Sequence, residues 1–194
     1  MSYRGHRRFA EISVLSLIAT NLVLFIAVLA DPDLIYTLGL QPTIWLERPW
    51  TLLTNLFIHG GIWHVAANMF TLYFFGRYLS MMIGDARFLT VYFLGGIIGN
   101  FFYILLEPSG PTAIGASGAI FAVAGALTLM APKLRVFVFP IPAPLPLWVA
   151  VIGGFVILSF FPNVAWQAHL GGLALGLVAG YFFRGKQRNV LRFR

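Results

Sequence analysis

The chain of 194 residues is unusually apolar, because 59% of its residues are hydrophobic and only 10% are charged. A water-soluble domain of this length carries far more charge, so the composition excludes that class and indicates an integral membrane protein. The absence of cysteine excludes disulfides and thiolate metal sites. The net charge of +7 does not indicate nucleic acid, since basic residues of membrane proteins set orientation and contact anionic headgroups.

Stretches without charged residues predict where the helices lie, because a helical span needs about 20 apolar residues. These stretches are residues 12–30, 49–76, 88–106, 108–132 and 136–183. The last stretch is long enough for two spans, and prolines at 140–146 and at Pro162 interrupt it. We therefore predict an all-α, polytopic bundle of six transmembrane helices, at residues 10–30, 62–83, 87–106, 115–131, 147–161 and 166–183.

The six spans are predicted to form one membrane domain over residues 1–194, with a core at about 10–184 and short basic tails at 1–9 and 185–194. An even number of spans puts both termini on one side of the membrane. Of the 13 lysines and arginines, all but Arg48 fall on that side. By the positive-inside rule, both termini are therefore expected in the cytoplasm. Residues 31–61 are too apolar for a solvated loop and are expected in the outer interface, where Trp and Tyr are favoured.

Five polar side chains occur near the outer ends of three predicted spans. The second, fourth and sixth spans all run from outside to inside, so their N-terminal ends share the outer leaflet. The five residues at or near these ends are His59, His64, Asn68, Ser117 and His169. Polar groups within spans usually face the bundle interior or a water-filled cavity, which predicts that these side chains lie at similar depth.

Ser117 and His169 each stand at the outer end of a helix face made of small residues. The sixth span has glycine at every fourth position, at Gly172, Gly176 and Gly180. The fourth span has a matching face, at Gly118, Ala122 and Gly125. If the faces pack together, the imidazole comes within reach of the hydroxyl, and a serine needs such a base to act as a nucleophile. The alternative is a packing face that carries an incidental serine.

His64 and Asn68 are four residues apart, so on a helix they project from the same side. Both can donate hydrogen bonds, as an oxyanion site requires. Alternatively, they satisfy backbone groups near the helix start. A metal site formed by His59, His64 and His169 is disfavoured, because it lacks a completing carboxylate or cysteine and no His-Glu-x-x-His motif is present. No metal and no cofactor are predicted.

Three motifs together resemble the rhomboid family of intramembrane serine proteases. They are His59-x4-His64-x3-Asn68, Gly115-x-Ser117-Gly118 and Ala168-His169-x2-Gly172-x3-Gly176. Their order and spacing and the six-span topology agree with the family over residues 45–184. Two positions depart from it. Family members often have Trp-Arg where this chain has Arg48-Pro49-Trp50, and many have an acidic residue where this chain has Ser80.

The resemblance implies a catalytic dyad of Ser117 and His169 without an acidic third member. It implies an oxyanion site formed by His64, Asn68 and the backbone N–H of Ser117, with Gly115 in the same turn. An aromatic ring is expected beneath the histidine, at Phe121. The remaining positions of the match are supporting ones, at His59, Gly118, Gly172 and Gly176.

The resulting hypothesis is an intramembrane serine endopeptidase that hydrolyses peptide bonds in or beside transmembrane segments. Its expected partners are transmembrane protein substrates and the lipid bilayer, with no nucleic acid; no oligomeric state is predicted. The compact form resembles prokaryotic members, which implies the plasma membrane, with the active site near the outer face. Two alternatives stay open. One is a small transporter or channel, which needs polar groups throughout the membrane depth. The other is a non-catalytic relative that escorts membrane proteins.

Overall fold

Helices occupy the predicted apolar stretches. The computed structural model describes the backbone of residues 3–139 and 141–191 and the side chains within 12–139 and 141–184. Short 3₁₀ and π segments, Asn55–Phe57 and Leu72–Gly76, extend two of the α-helices. In chain order the elements are α1 (Tyr3–Ala30), α2 (Leu34–Leu38), α3 (Thr51–Thr54), α4 (Ile62–Thr71), α5 (Arg77–Ile83), α6 (Asp85–Leu106), α7 (Ser117–Met130), β1 (Arg135–Val136), β2 (Leu145–Pro146), α8 (Leu147–Ser159) and α9 (Trp166–Leu191).

The helix boundaries lie close to the predicted ones. The π segment joins α4 to α5, so this helix is continuous over residues 62–83, as predicted. Helices α1 and α9 extend further than predicted, into the segments interpreted as tails. An established helix gains one hydrogen bond with each added residue and needs no new nucleus, so it continues past the apolar stretch. Residues 1–2 and 192–194 of those tails lie outside the described residues.

The number of membrane crossings stays a prediction. Within the described part of the chain, two helical stretches combine the length and hydropathy of a membrane span, Ile12–Ala30 and Asp85–Leu106. Helices α7 and α8 are apolar but have 14 and 13 residues. At 1.5 Å per residue each is about 20 Å long, shorter than the roughly 30 Å hydrocarbon core. The fold class itself is confirmed as mostly helical.

The proline-rich stretch forms a short hairpin, so the fold is not purely α-helical. Strands β1 and β2 pair antiparallel, and Arg135 Nη2 donates to the carbonyl of Pro144 at 2.8 Å. Each proline removes a backbone donor and disfavours helix in the residue before it, which is why this stretch separates α7 from α8. A second break follows α8, where Asn163 has a positive φ of 61°.

Helices α6, α7 and α9 pack closely at the centre of the bundle. Small residues permit this close approach. Gly95 of α6 lies against Ala122 of α7, and Gly99 of α6 lies against the backbone of Ala168 in α9. Most residues of α7 are buried, so this helix forms the core against which the others pack.

Residues 31–61 connect α1 to α4 and are held in part by side-chain hydrogen bonds. Arg48 Nη1 donates to the carbonyl of Tyr36 at 3.1 Å, and Trp50 Nε1 donates to that of Thr37 at 3.3 Å. The residues that depart from the Trp-Arg pattern therefore still anchor this segment to α2. Its fully buried apolar side chains are Leu40, Leu56 and Ile58.

The second departure, Ser80, has a compensating neighbour. The hydroxyl of Ser80 in α5 donates to the carboxylate of Asp85, across Gly84, whose φ is +82°. Asp85 lies in the first turn of α6, where the helix dipole favours a negative charge. A carboxylate is thus present at this junction, supplied by the residue after the turn.

Candidate active site

The N-terminal parts of α4, α7 and α9 meet at one cavity of about 290 Å³. Four predicted site side chains line it: His64, Asn68, Ser117 and His169. Gly115, the glycine before this serine turn, lines it as well. Four of the five polar side chains expected at similar depth therefore line one cavity, and its volume holds several water molecules at about 30 Å³ each.

Ser117 and His169 form a direct hydrogen bond. Ser117 Oγ lies 2.7 Å from His169 Nε2. Ser117 is the first residue of α7 and His169 is in the first turn of α9, so the relative position of these two helices sets the distance. The histidine is buried and the serine is half-buried against the cavity.

The small-residue faces of α7 and α9 pack together, as predicted. A Cβ atom built on Gly172 would overlap the carbonyl of Gly118, and one on Gly176 would overlap the carbonyl of Ala122. The two backbones are therefore in contact, with no side chain between them. This contact is what brings the hydroxyl and the imidazole together.

Phe121 lies beneath the imidazole, at the position expected for an aromatic ring. Its ring centroid is 4.7 Å from that of His169, and the planes are 29° apart. His169 Nδ1 is buried without a hydrogen-bond partner among the described residues. The stacked ring therefore takes the place of a carboxylate in fixing the imidazole plane. For Nε2 to accept a proton from Ser117, the proton of the neutral ring must be on Nδ1.

His64 and Gly115 line the cavity next to each other, beside Ser117. Gly115 has a φ of +116°, which favours glycine, and a Cβ built there would lie 2.7 Å from His64 Nε2 and 3.8 Å from Ser117 Oγ. Asn68 Nδ2 donates one proton to the carbonyl of His64 at 2.8 Å, which leaves its second proton for another acceptor. The N–H of Gly115 already donates to the carbonyl of Asn55 at 2.9 Å.

His59 is not among the cavity-lining residues and lies beside His64. Its side chain is fully buried, and the two ring centroids are 4.9 Å apart in an edge arrangement. Burial, together with the neighbouring His64, lowers the pKa of His59 to about 4, so the ring is neutral at physiological pH. No cluster of three or more His, Cys, Asp or Glu side chains suited to a metal occurs within the described residues.

Two cavity-lining asparagines were not singled out from the sequence, Asn55 and Asn163. Asn55 lies in the charge-free stretch 49–76, four residues before His59, so a search for polar residues in apolar stretches would have found it. It is hydrogen-bonded to Asn100 of α6, which also lines the cavity. Asn163 follows Pro162 in the turn between α8 and α9.

The sequence matches a known family over most of its length. The model of the Rhomboid domain matches residues 46–186. "Rhomboid protein 1, mitochondrial" of Saccharomyces cerevisiae is 30% identical in an alignment of 152 residues that covers 68% of this chain and 41% of that protein. "Putative rhomboid protease YdcA" of Bacillus subtilis is 32% identical over 147 residues, 75% of this chain and 71% of that protein.

"Rhomboid protease GluP" of Bacillus subtilis is 36% identical over 131 residues, 67% of this chain and 25% of that protein. The chain thus spans less than half of the yeast relative and a quarter of GluP. Another match, from Arabidopsis thaliana, carries the word inactive in its name. On the family match and these identities, the chain belongs to the rhomboid family, a membrane-embedded family of the intramembrane serine protease kind that also has inactive members.

Proposed function

We propose that this protein is an intramembrane serine endopeptidase that cleaves transmembrane proteins with Ser117 as nucleophile and His169 as general base. The observation that carries the proposal is the 2.7 Å hydrogen bond between Ser117 Oγ and His169 Nε2 in a cavity. Within the described residues, no other serine hydroxyl is hydrogen-bonded to a histidine ring. A serine without such a base is a poor nucleophile.

The reaction follows from this geometry. Ser117 Oγ attacks the carbonyl carbon of the scissile peptide bond while His169 Nε2 takes its proton. The imidazolium then gives the proton to the leaving amine, which produces an acyl-enzyme. Water in the cavity then attacks the acyl carbon while His169 accepts its proton. The bond between that carbon and Ser117 Oγ breaks, His169 returns the proton to Oγ, and the carboxylic acid product is released. Without a carboxylate on Nδ1, turnover is expected to be modest.

The negative charge on the carbonyl oxygen needs donors that are already in position. The backbone N–H of Ser117 is one of the first in α7, and such groups have no partner within the helix. The imidazole of His64 and the second amide proton of Asn68 face the same cavity. We assign these three as the oxyanion site. Gly115 contributes the shape of the turn, since its own N–H is already bonded to Asn55.

The six-span topology, with cytoplasmic termini and an active site near the outer face, is part of the proposal. This topology is supported by the contact between two helix ends that carry basic residues. Arg87 at the start of α6 lies 5.9 Å from the ring of Phe183 late in α9, so these two ends lie on the same side of the bundle. Lys and Arg on one side indicate the cytoplasm. A prokaryotic plasma membrane is the proposed location, and cleavage is expected near the outer boundary of a substrate helix.

The decisive experiment compares wild type with Ser117→Ala and His169→Ala in proteoliposomes that contain a transmembrane substrate. Cleavage and labelling by a fluorophosphonate are expected for wild type and should be lost in Ser117→Ala, while the melting temperature is retained. Full cleavage by Ser117→Ala would exclude the proposed dyad. Absence of both cleavage and labelling in wild type would favour a non-catalytic function, as in the inactive relative.

A further inference from the structure

Several hydrogen bonds attach the loop before Ser117, residues 107–116, to other segments. Besides those that Glu107 and Thr112 accept from Gln167 and Gln41, there are three further attachments. Tyr103 Oη donates to the carbonyl of Pro111 at 2.8 Å. Ala113 pairs with Leu40 through two backbone hydrogen bonds, of 2.8 and 2.9 Å. The N–H of Gly115 donates to the carbonyl of Asn55 at 2.9 Å. The last attachment is the one nearest to the serine, two residues away from it.

Asn55 is itself tied to α6 by a reciprocal amide pair. Asn55 Nδ2 donates to Asn100 Oδ1, and Asn100 Nδ2 donates to Asn55 Oδ1, both at 2.9 Å. Asn100 Nδ2 also donates to the carbonyl of Leu52 at 2.8 Å. Both asparagines are buried, with 2% and 3% of their surface exposed. The pair therefore fixes the 3₁₀ turn at Asn55 to α6 at two points.

We propose that Asn55 and Asn100 are positioning residues that hold the Gly115 turn, and through it the donors around Ser117, in the geometry needed for catalysis. The proposal rests on the proposed function and extends it to residues that do not touch the reacting atoms. Helix α6 is packed on both α7 and α9 through glycines, so it is a fixed reference for the turn. Without the amide pair, the Asn55 turn loses its side-chain hydrogen bonds to α6 and keeps the packing of Leu56 on Gly96.

The physical reason is the small tolerance of a catalytic site. The turn at Gly115 lies between His64 and Ser117, as the distances from its Cβ position indicate. A displacement of about 1 Å in a catalytic group can lower the rate about a hundredfold. Such a displacement lowers kcat, whereas KM is set mainly by contacts of the remaining substrate helix with the protein.

The test uses Asn55→Ala, Asn100→Ala and the double variant in the full-length protein, with Asn21→Ala as the matched control. Asn21 is also a buried asparagine, hydrogen-bonded to the carbonyl of Leu17 in α1 at 2.8 Å, but it does not line the cavity. We expect kcat per folded enzyme to fall about tenfold to a hundredfold in each single variant, with little change in KM. The double variant should be no worse than Asn100→Ala, because that variant already loses the amide pair together with the bond to Leu52.

Hydrogen–deuterium exchange provides a readout that does not depend on activity. Peptides that contain residues 108–117 should exchange faster in Asn55→Ala and Asn100→Ala and at the wild-type rate in Asn21→Ala. Unchanged exchange in these peptides, or a kcat loss no larger than that of Asn21→Ala, would overturn the positioning role. If wild type does not cleave but the exchange result is as expected, the proposed protease function fails while the amide pair still holds the turn.

Discussion

The contact between α7 and α9 differs sharply from the packing of α8. Most residues of α7 are buried, and the glycines of α9 lie directly on its backbone. Within α8, whose residues 147–159 are all described, only Leu147 and Val151 are buried. Cβ atoms built on Gly153 and Gly154 of α8 would contact nothing within 4 Å.

This difference in packing suits two tasks: α7 and α9 hold Ser117 and His169 together, and α8 is free to move. Ser117 and His169 both belong to the tightly packed pair, so their distance does not depend on the position of α8. Leu158 of α8 nevertheless lines the cavity, together with Val164 and Ala165 from the turn that follows. We therefore expect α8 to move when a substrate helix enters, while the catalytic pair stays in place.

The largest effect is expected from breaking the tight contact with Gly172→Val. The new side chain would overlap the carbonyl of Gly118, and backbone cannot move aside as a flexible side chain can. Overpacking of this kind costs about 3 kcal/mol of stability, and separation of the helices should abolish cleavage. Cleavage assays and thermal unfolding would measure both. Gly153→Val, on the open surface of α8, is the control and should stay active; wild-type turnover in Gly172→Val would contradict the tight contact.

Next in size is the loss of an oxyanion donor. His64→Ala and Asn68→Ala should each lower kcat by up to about 10²–10³-fold, or about 2.7–4 kcal/mol, with a smaller change in KM. The remaining donors can reduce the loss. Trp63→Ala is a suitable control, because this side chain is 85% exposed and adjacent to His64. Wild-type kcat in both variants would mean that His64 and Asn68 only stabilise the start of α4.

A smaller effect is expected at Phe121, where the two regions touch. Its ring stacks on His169 and also meets the ring of Phe155 of α8 edge-on, with centroids 6.2 Å apart. An aromatic pair contributes about 0.5–1.5 kcal/mol, so Phe121→Leu should lower kcat about two- to tenfold. Phe155→Leu removes the edge contact alone and should leave kcat of a small soluble substrate unchanged. Equal losses in the two variants would show that α8 helps to position His169.

The sequence was sufficient to predict the positions of the longer helices and four of the polar side chains that meet at the cavity. Charge-free stretches predicted the helix positions because burial in lipid excludes charge over a whole helix. The four-residue glycine spacing predicted the contact between α7 and α9, since a face without side chains lets another backbone approach closely.

The sequence did not predict how the loop before Ser117 is held. Its attachments to Leu40 and Asn55 join residues far apart in the chain and use backbone groups that every residue carries. No spacing rule identifies such partners. The carboxylate beside Ser80 was also missed, because Asp85 lies beyond the glycine turn, five residues along the chain.

The smallest effect is expected from stiffening α8 with Gly153→Ala or Gly154→Ala. Both positions have room for a methyl group, and alanine at a compatible helical position stabilises by about 0.4–1 kcal/mol. If α8 must bend or shift to admit a substrate helix, that free energy opposes the motion and should slow cleavage of a transmembrane substrate about two- to fivefold. A small fluorophosphonate needs no such motion, so its reaction with Ser117 should keep the wild-type rate. Equal slowing of both reactions would mean that α8 acts on the catalytic pair, and no slowing of either would mean that substrate enters without movement of α8.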